Sequence, residues 1–371
     1  SFSIMAIPFF ILAGNLMTKG GISKRIVGFA NSIIGNVRGA MGIAGVVACA
    51  FFAALSGSSP ATVVAIGSML YPEMVELGYP KERSAGIIAV AGGLGPIIPP
   101  SIVMIVFATA TESSVAKLFT AGATCGIMIA VALIGMTIFI AHKEKWPKSN
   151  EKINVKDLGK KFVNALPALL LPVIVMGGIF SGLFTPTESA VISVVYALVV
   201  SLFIYKDIKI KDLFEIFVDS AKGSAMILFI MATSTAFAWV FTYAGISDSI
   251  VQLIIGMNLG KTMFLLLIAI VLLIFGTFLE GIATTLLLIP VFFPIATTLG
   301  IDPIHLGMVM SISTCVGAVT PPVAVNIFAA SSFSKLSMGE IAKGEFPWFI
   351  TMLVMFMLIV LIPGISLLFI G

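Results

Sequence analysis

Charge is scarce in this chain. Lys, Arg, Asp and Glu supply 10% of its 371 residues, against about 25% in a soluble globular domain. There are two histidines, His142 and His305, which leaves no material for a His-based metal or catalytic cluster. No His-Glu-x-x-His pattern occurs, and no other catalytic constellation is visible. The three cysteines, Cys49, Cys125 and Cys315, are odd in number and lie in apolar stretches without metal spacing, so they are packing residues. The net charge of +4 is carried by lysines clustered in loops, which argues against a nucleic-acid partner. Gly256-Met257-Asn258-Leu259-Gly260-Lys261-Thr262 is one residue short of a phosphate loop and follows no strand.

What is present is apolar. The chain is 59% hydrophobic with a mean hydropathy of +1.16, as expected of an all-α polytopic membrane protein bathed in membrane lipids. Its organising stretch is Gly92-Gly93-Leu94-Gly95-Pro96-Ile97-Ile98-Pro99-Pro100-Ser101. Proline lacks an N–H and clashes with the preceding turn, so no helix runs through it. A helix broken at membrane depth is tolerated only inside protein or beside a cavity.

The chain repeats this device. Gly95 and Gly317, Pro99 and Pro321, and Pro100 and Pro322 are each 222 positions apart, as are Ala61-Thr62 and Ala283-Thr284, Pro72 and Pro294, and Gly122 and Gly344. At an offset of 224, Gly21-Ile22-Ser23 matches Gly245-Ile246-Ser247. Paired, interrupted apolar segments point to the binding site of a secondary transporter. The plainer reading is a duplicated membrane scaffold with kinked helices. Two spans, about 165–180 and 188–205, precede the second copy's Gly245, whereas only residues 1–20 precede Gly21. The repeat therefore predicts about 40–60 further residues on the N-terminal side, enough for two spans of ~20 residues.

In chain order, residues 2–18 can span a membrane, and Ile22, Ile26, Phe29, Ile33 and Val37 form the apolar stripe of an amphipathic helix. It lies either at the membrane interface or on a partner. Ser56-Gly57-Ser58-Ser59-Pro60 is a polar tip between two short apolar arms and reads as a re-entrant hairpin, against the plainer reading of an extramembrane loop. Its equivalent is Glu280-Gly281-Ile282-Ala283-Thr284. Residues 72–83 read as a polar turn. The first broken helix covers 84–95 and 101–110, the second 304–332, and the last span about 347–370. The loop 143–161 holds seven lysines against Glu144, Glu151 and Asp157, so it is cytoplasmic. This divides the chain into scaffold and arm helices (1–38), a first hairpin and broken helix (39–111), further scaffold helices (112–260), a second hairpin and broken helix (261–332), and a C-terminal span (333–371).

Each tip can meet its break. The pairing gathers hydroxyls and unpaired carbonyls, which suit a hard monovalent cation. Half-helix N-termini in the same place favour an anionic group. Glu280 is an acid in an apolar run, a substrate contact or a shaper of the second ion site unless its tip simply meets water. Ser101 and Asn326, just past the breaks, are candidate substrate contacts.

The Gly-rich Pro-Pro breaks, the Ser-Gly-Ser-Ser-Pro tip and Ala6-Ile7-Pro8-Phe9-Phe10-Ile11-Leu12-Ala13-Gly14 resemble the large membrane subunit of TRAP transporters (DctM-like) across the whole chain. The resemblance implies an inverted-repeat, elevator-type, sodium-driven importer in the bacterial inner membrane, with no enzymatic activity and no organic cofactor. It implies a small membrane subunit, separate or fused, and a periplasmic binding protein as partners. Carried over, one sodium site would involve Ser56, Ser58, Gly95, Ile98 and Pro100, and the other Gly281, Gly317, Thr320 and Pro322. The carboxylate substrate would lie near Ser58, Ser59, Ser101, Glu280 and Asn326. Sialic acid is the first expectation for it and a C4-dicarboxylate the second. A channel or structural membrane subunit is the competing class.

Overall fold

The computed structural model describes residues 2–34, 37–148, 155–256 and 259–370. Its helices are α1 (Ala6–Lys19), α2 (Ile22–Ile33), α3 (Ala40–Ser56), α4 (Ser59–Glu76), α5 (Lys81–Gly92), α6 (Ile102–Thr111), α7 (Val115–Lys143), α8 (Val155–Phe180) and α9 (Pro186–Val199). There follow α10 (Asp212–Tyr243), α11 (Ile246–Gly256), α12 (Lys261–Gly276), α13 (Gly281–Thr298), α14 (Pro303–Gly317), α15 (Val325–Ser334) and α16 (Met338–Leu361). Among the described residues six helices are long and apolar enough to cross a membrane.

Both hairpins and both breaks form. α3–α4 turn at Gly57-Ser58 and α12–α13 at 277–280, while α5–α6 and α14–α15 are interrupted at 93–101 and 318–324. The Pro99–Pro100 and Pro321–Pro322 bonds are both cis. The halves are inverted. Arg83 pairs with Glu144 at 2.9 Å, tying the α4–α5 turn to the lysine-rich end of α7. Arg38 bridges Lys148 through the backbone, tying the base of the first hairpin to the same side. The base of the second hairpin, where Lys261 donates to the Gly300 carbonyl (2.9 Å), lies one crossing of α10 away from Lys206, Lys209 and Lys211. The first hairpin thus opens to the cytoplasm and the second to the opposite side.

Several boundaries differ from the sequence expectation. The polar stretch 72–83 is mostly helical: Glu73 and Glu76 finish α4, Lys81 starts α5, and only 77–80 turn, around Gly78 with φ 86°. The basic loop is shorter than 143–161 because α8 starts at Val155, and residues 149–154 lie outside the described residues. The last span starts at Met338 rather than near 347, because Ser337 and Glu340 form a capping box, and it stops at Leu361 before Pro363. The amphipathic helix is α2, bent by 67° from the helix before it.

Two bundles emerge. α1, α8, α9 and α10 pack together, with α2 on α8. The hairpins and breaks form the other bundle, and α7 and α16 belong to it, so the divisions at 112 and 333 do not follow the packing. Trp348 of α16, fully buried, donates to Thr137 of α7 at 2.9 Å. α16 crosses α5 where Gly344 meets the Glu82 carbonyl and Gly86 meets the Glu345 backbone, a backbone-to-backbone approach that only small residues permit.

This crossing makes a stability prediction. A Cβ at Gly344 would overlap the Glu82 carbonyl, whereas one at Gly135 on α7 meets nothing within 4 Å. Gly344→Ala is expected to cost about 1–3 kcal/mol by overpacking. Gly135→Ala should be neutral or stabilising by up to ~1 kcal/mol from helix propensity. Thermal midpoints in detergent read the two against the parent.

Candidate functional site

The first hairpin tip is a closed network of hydroxyls. Ser56 Oγ and Thr62 Oγ1 lie 2.9 Å apart, Thr62 Oγ1 donates to the Ser58 carbonyl (2.8 Å), and the Ser58 N–H donates to Ser56 Oγ (3.3 Å). The first break is pressed against it. A Cβ on Gly95 would sit 2.9 Å from the Ser58 carbonyl carbon, and one on Gly57 3.3 Å from the Pro100 oxygen. No protein donor among the described residues reaches the carbonyls of Gly95, Ile98 or Pro100. Ser56, Ser58, Gly95 and Pro100 therefore come together as expected, whereas the Ile98 side chain packs toward Gly126 on α7.

The second tip and break repeat the contact. Gly276 and Gly317 meet backbone to backbone, with a Cβ on Gly317 only 2.7 Å from Gly276 Cα. A Cβ on Gly281 would sit 2.8 Å from Thr314 Cβ. Thr320 and Pro322 do not join this cluster as side chains. Thr320 Oγ1 donates to the Val316 carbonyl (2.6 Å), and Thr320 faces a separate cavity of about 580 Å³ beside Arg83 and Glu345.

Both tips and both breaks line one cavity of about 420 Å³, walled on its other side by Ile11, Asn15 and Thr18 of α1 and Asp219, Gly223 and Met226 of α10. The cavity thus lies between the two bundles. Its lining contains Asp219 and Glu280 but neither Lys nor Arg. What it offers an anion is helix ends: Ser59 of α4, Ile102 of α6, Gly281 of α13 and Val325 of α15 are first residues of helices, and all four line it.

The four ends are not equivalent. Ser101 caps α6, accepting from the Met104 N–H, and Glu280 caps α13, accepting from the Ile282 N–H at 3.0 Å. The first turns of α4 and α15 have no side-chain cap. At α15 the preceding Ala324 is held at φ 46°, a left-handed conformation costly without a compensating role. In one half the tip helix is open and the break helix capped; in the other half the order is reversed.

Two expected substrate contacts are relocated. Ser101 is fully buried, donates to the Pro96 carbonyl (2.6 Å) and is absent from the cavity lining, so it is a cap. Asn326 is also fully buried: its side-chain oxygen accepts from Ser59 Oγ (2.7 Å) and its amide donates to the Ala89 carbonyl (3.0 Å). It links the first tip, the second break and α5, and does not reach the cavity. Ser58, Ser59 and Glu280 do line it. The sequence reading missed the α1 and α10 wall. Asn15 in the apolar run 2–18, which donates to Ser220 at 2.8 Å, and Asp219 in the polar start of α10 were the available signals.

A family model described as "Tripartite ATP-independent periplasmic transporter, DctM component" matches residues 1–365. The C4-dicarboxylate TRAP transporter large permease protein DctM of Pseudomonas aeruginosa is 44% identical over 366 residues, covering 99% of this chain and 86% of that protein. The sialic acid TRAP transporter large permease protein SiaM of Vibrio cholerae is 31% identical over 371 residues, covering 99% and 86%. Among solved structures, the YdaH transporter of Alcanivorax borkumensis superimposes with a TM-score of 0.72 over 97% of this chain and 85% of that one, at 14% identity, a likeness of fold.

Two substitutions test the geometry. Ser58→Asp places a carboxylate over the open end of α4, as Glu280 does at α13. Stability should hold or rise, since a good cap is worth about 0.5–2 kcal/mol, while uptake of an anion falls at least tenfold (an order-of-magnitude expectation from losing a helix-end contact worth up to ~2 kcal/mol). Asn326→Ala strands Ser59 Oγ and the Ala89 carbonyl, at a cost of about 1–3 kcal/mol. Paired measurements of thermal midpoint and vesicle uptake separate the two outcomes.

Proposed function

The chain belongs to the DctM component family of tripartite ATP-independent periplasmic transporters, a multi-pass inner-membrane permease and not an enzyme, and from that premise we propose that it imports a small dicarboxylate on a sodium gradient. The observation that carries this reading is the pair of uncapped helix ends, α4 and α15, lining one cavity that contains no cationic side chain. Each helix end presents about half a positive charge, although at α15 the Asn326 N–H already donates to the Ala318 carbonyl (2.9 Å). Two such ends suit two carboxylates.

This order of substrates reverses the sequence expectation, in which sialic acid came first. The relative named for C4-dicarboxylates is 44% identical and the one named for sialic acid 31%. Sodium supplies the charge that the cavity lacks. The carbonyls of Gly95, Ile98 and Pro100 beside the Ser56–Ser58 network are the first site. The Gly281–Thr314–Gly317 contact, with the carbonyls around Thr320 and Pro322, is the second. Oxygen-only, mostly neutral ligand sets suit a monovalent hard cation.

The cavity's position between two bundles supports an elevator. The bundle holding both tips and both breaks would carry substrate and ions together past α1 and α10. A small membrane subunit and a periplasmic binding protein complete the system: the binding protein selects the solute, and the permease supplies the coupled step. Glu280 caps α13 and keeps that end from competing for the anion.

The test is uptake of labelled succinate and labelled sialic acid into proteoliposomes holding this permease with its small subunit, under an inward sodium gradient and with binding protein added. Succinate uptake that needs both sodium and the binding protein is the expected result. Sialic acid uptake alone would return the order of substrates to the sequence expectation. Solute flux that needs neither sodium nor binding protein would favour the channel reading.

A further inference from the structure

A third cavity shares no lining residue with the central one, although Gly21, which lines it, is only three residues from Thr18 of the central lining; it lies at the cytoplasmic end of the bundle of α1, α8, α9 and α10. It has a volume of about 350 Å³ and is lined by Lys24, Arg25 and Gly28 of α2, Lys161 and Asn164 of α8, and Asp207 after α9. Three cations thus face one acid, drawn from three separate segments. The acid is already committed: Asp207 pairs with Arg25, whose guanidinium also stacks 3.7 Å from the centre of the Tyr205 ring. Lys161 has a partner on its own helix, Asp157, at 2.9 Å, an exposed pair of little strength. Lys24 has no ion pair among the described residues. Like charges gathered this way repel unless an anion joins them.

The surroundings identify the anion's carrier. Gly28 leaves the floor of the cavity open, because a Cβ there meets nothing within 4 Å. Immediately beside Lys161, Phe162 and Val163 are 43% and 65% exposed, and Phe162 meets Phe29 of α2 with ring centres 5.4 Å apart. Charged groups therefore sit directly above side chains that face acyl chains. This is the level of lipid headgroups, on the side marked cytoplasmic by the basic segments 143–161 and 206–211. The leaflet there carries anionic lipid, and basic pockets between membrane helices on that side bind its phosphates.

We propose that Lys24 and Lys161, with Arg25 and Asn164, form a binding site for the phosphate of an anionic phospholipid, which holds α2 against α8 at the cytoplasmic surface. The site is independent of the substrate and ion assignments above.

The permease with its small subunit, purified in detergent, would be examined by native mass spectrometry and thermal melting. The probes are dioleoylphosphatidylglycerol, dioleoylphosphatidylcholine and inorganic phosphate. The parent should retain phosphatidylglycerol at least about fivefold over phosphatidylcholine, the preference that the ~1 kcal/mol contribution of a single basic residue would give, and should melt higher only with the anionic lipid. Lys24→Ala with Lys161→Ala should bring the two lipids to parity. Lys24→Arg with Lys161→Arg should keep the preference. Gly28→Leu, which fills the cavity without changing charge, should abolish it too. Parity in the parent, a preference that survives both the alanine pair and Gly28→Leu, or an equal thermal shift from inorganic phosphate would overturn the proposal.

Discussion

Backbone at membrane depth must be satisfied by something, and in this fold that demand is met by pressing each helix break against a hairpin tip. Residues 93–101 and 318–324 cannot continue their helices, because the Pro-Pro pairs remove donors and block the turn. The breaks approach the hairpins at distances that only glycine permits, at Gly95 against Ser58 and at Gly317 against Gly276, and at the second break the Gly317 and Ala318 carbonyls accept from the Thr320 and Asn326 N–H groups. Packing and polarity are thus linked. The glycines let oxygen-rich backbone and hydroxyls converge where bulkier residues would hold them apart. The price is rigidity, since neither tip can shift without its break.

The inverted repeat duplicates this frame but not its decoration. Position 58 is Ser and its equivalent, position 280, is Glu. Ser101 caps its break helix, while its counterpart Val323 cannot and Ala324 takes a left-handed turn instead. The exchange leaves one open helix end in each half. A symmetric choice, with both tips capped or both breaks capped, would put both open ends on equivalent helices. The observed choice places them on α4 and α15, which the Ser59–Asn326 hydrogen bond joins directly. The two open helix ends therefore share one direct link, the contact that holds the first tip to the second break.

The frame was legible in the sequence because prolines, glycines and an offset of 222 positions are strong local signals. The two hairpins followed from the same evidence. What escaped was direction. Ser101 and Asn326 have the composition of binding residues, but a residue type does not say whether a side chain points into a cavity or into a neighbouring backbone, and both point inward to protein. The start of α16 was readable from Ser337 and Glu340, yet the hydrophobic run beyond Pro347 masked it. Asn15 and Asp219 were visible as polar residues, but that α1 and α10 form one wall is a tertiary fact, carried by the pairing of Asn15 with Ser220 across 205 positions. The membership of α7 and α16 in the hairpin bundle is of the same kind: it rests on Gly344, which the sequence marks only as the counterpart of Gly122, and on Trp348, which reads as an ordinary span residue.

The two breaks are also sealed to different degrees, and this bears on how the bundle can sit in a bilayer. The first is enclosed: Gly122 and Gly126 of α7 come within 2.6 Å of the Ile97 oxygen and the Ile98 side chain when a Cβ is placed on them. The second is exposed at Pro321, Pro322 and Val323 and borders the cavity that holds Glu345. Glu345 is 2% exposed, and its Oε2 has no hydrogen-bond partner. Uncovered irregular backbone and an unpaired carboxylate are both incompatible with acyl chains. That flank of the bundle must therefore open toward the aqueous end marked by Arg83 and Lys343, which with Glu345 and Thr320 are the polar members of an otherwise apolar cavity lining.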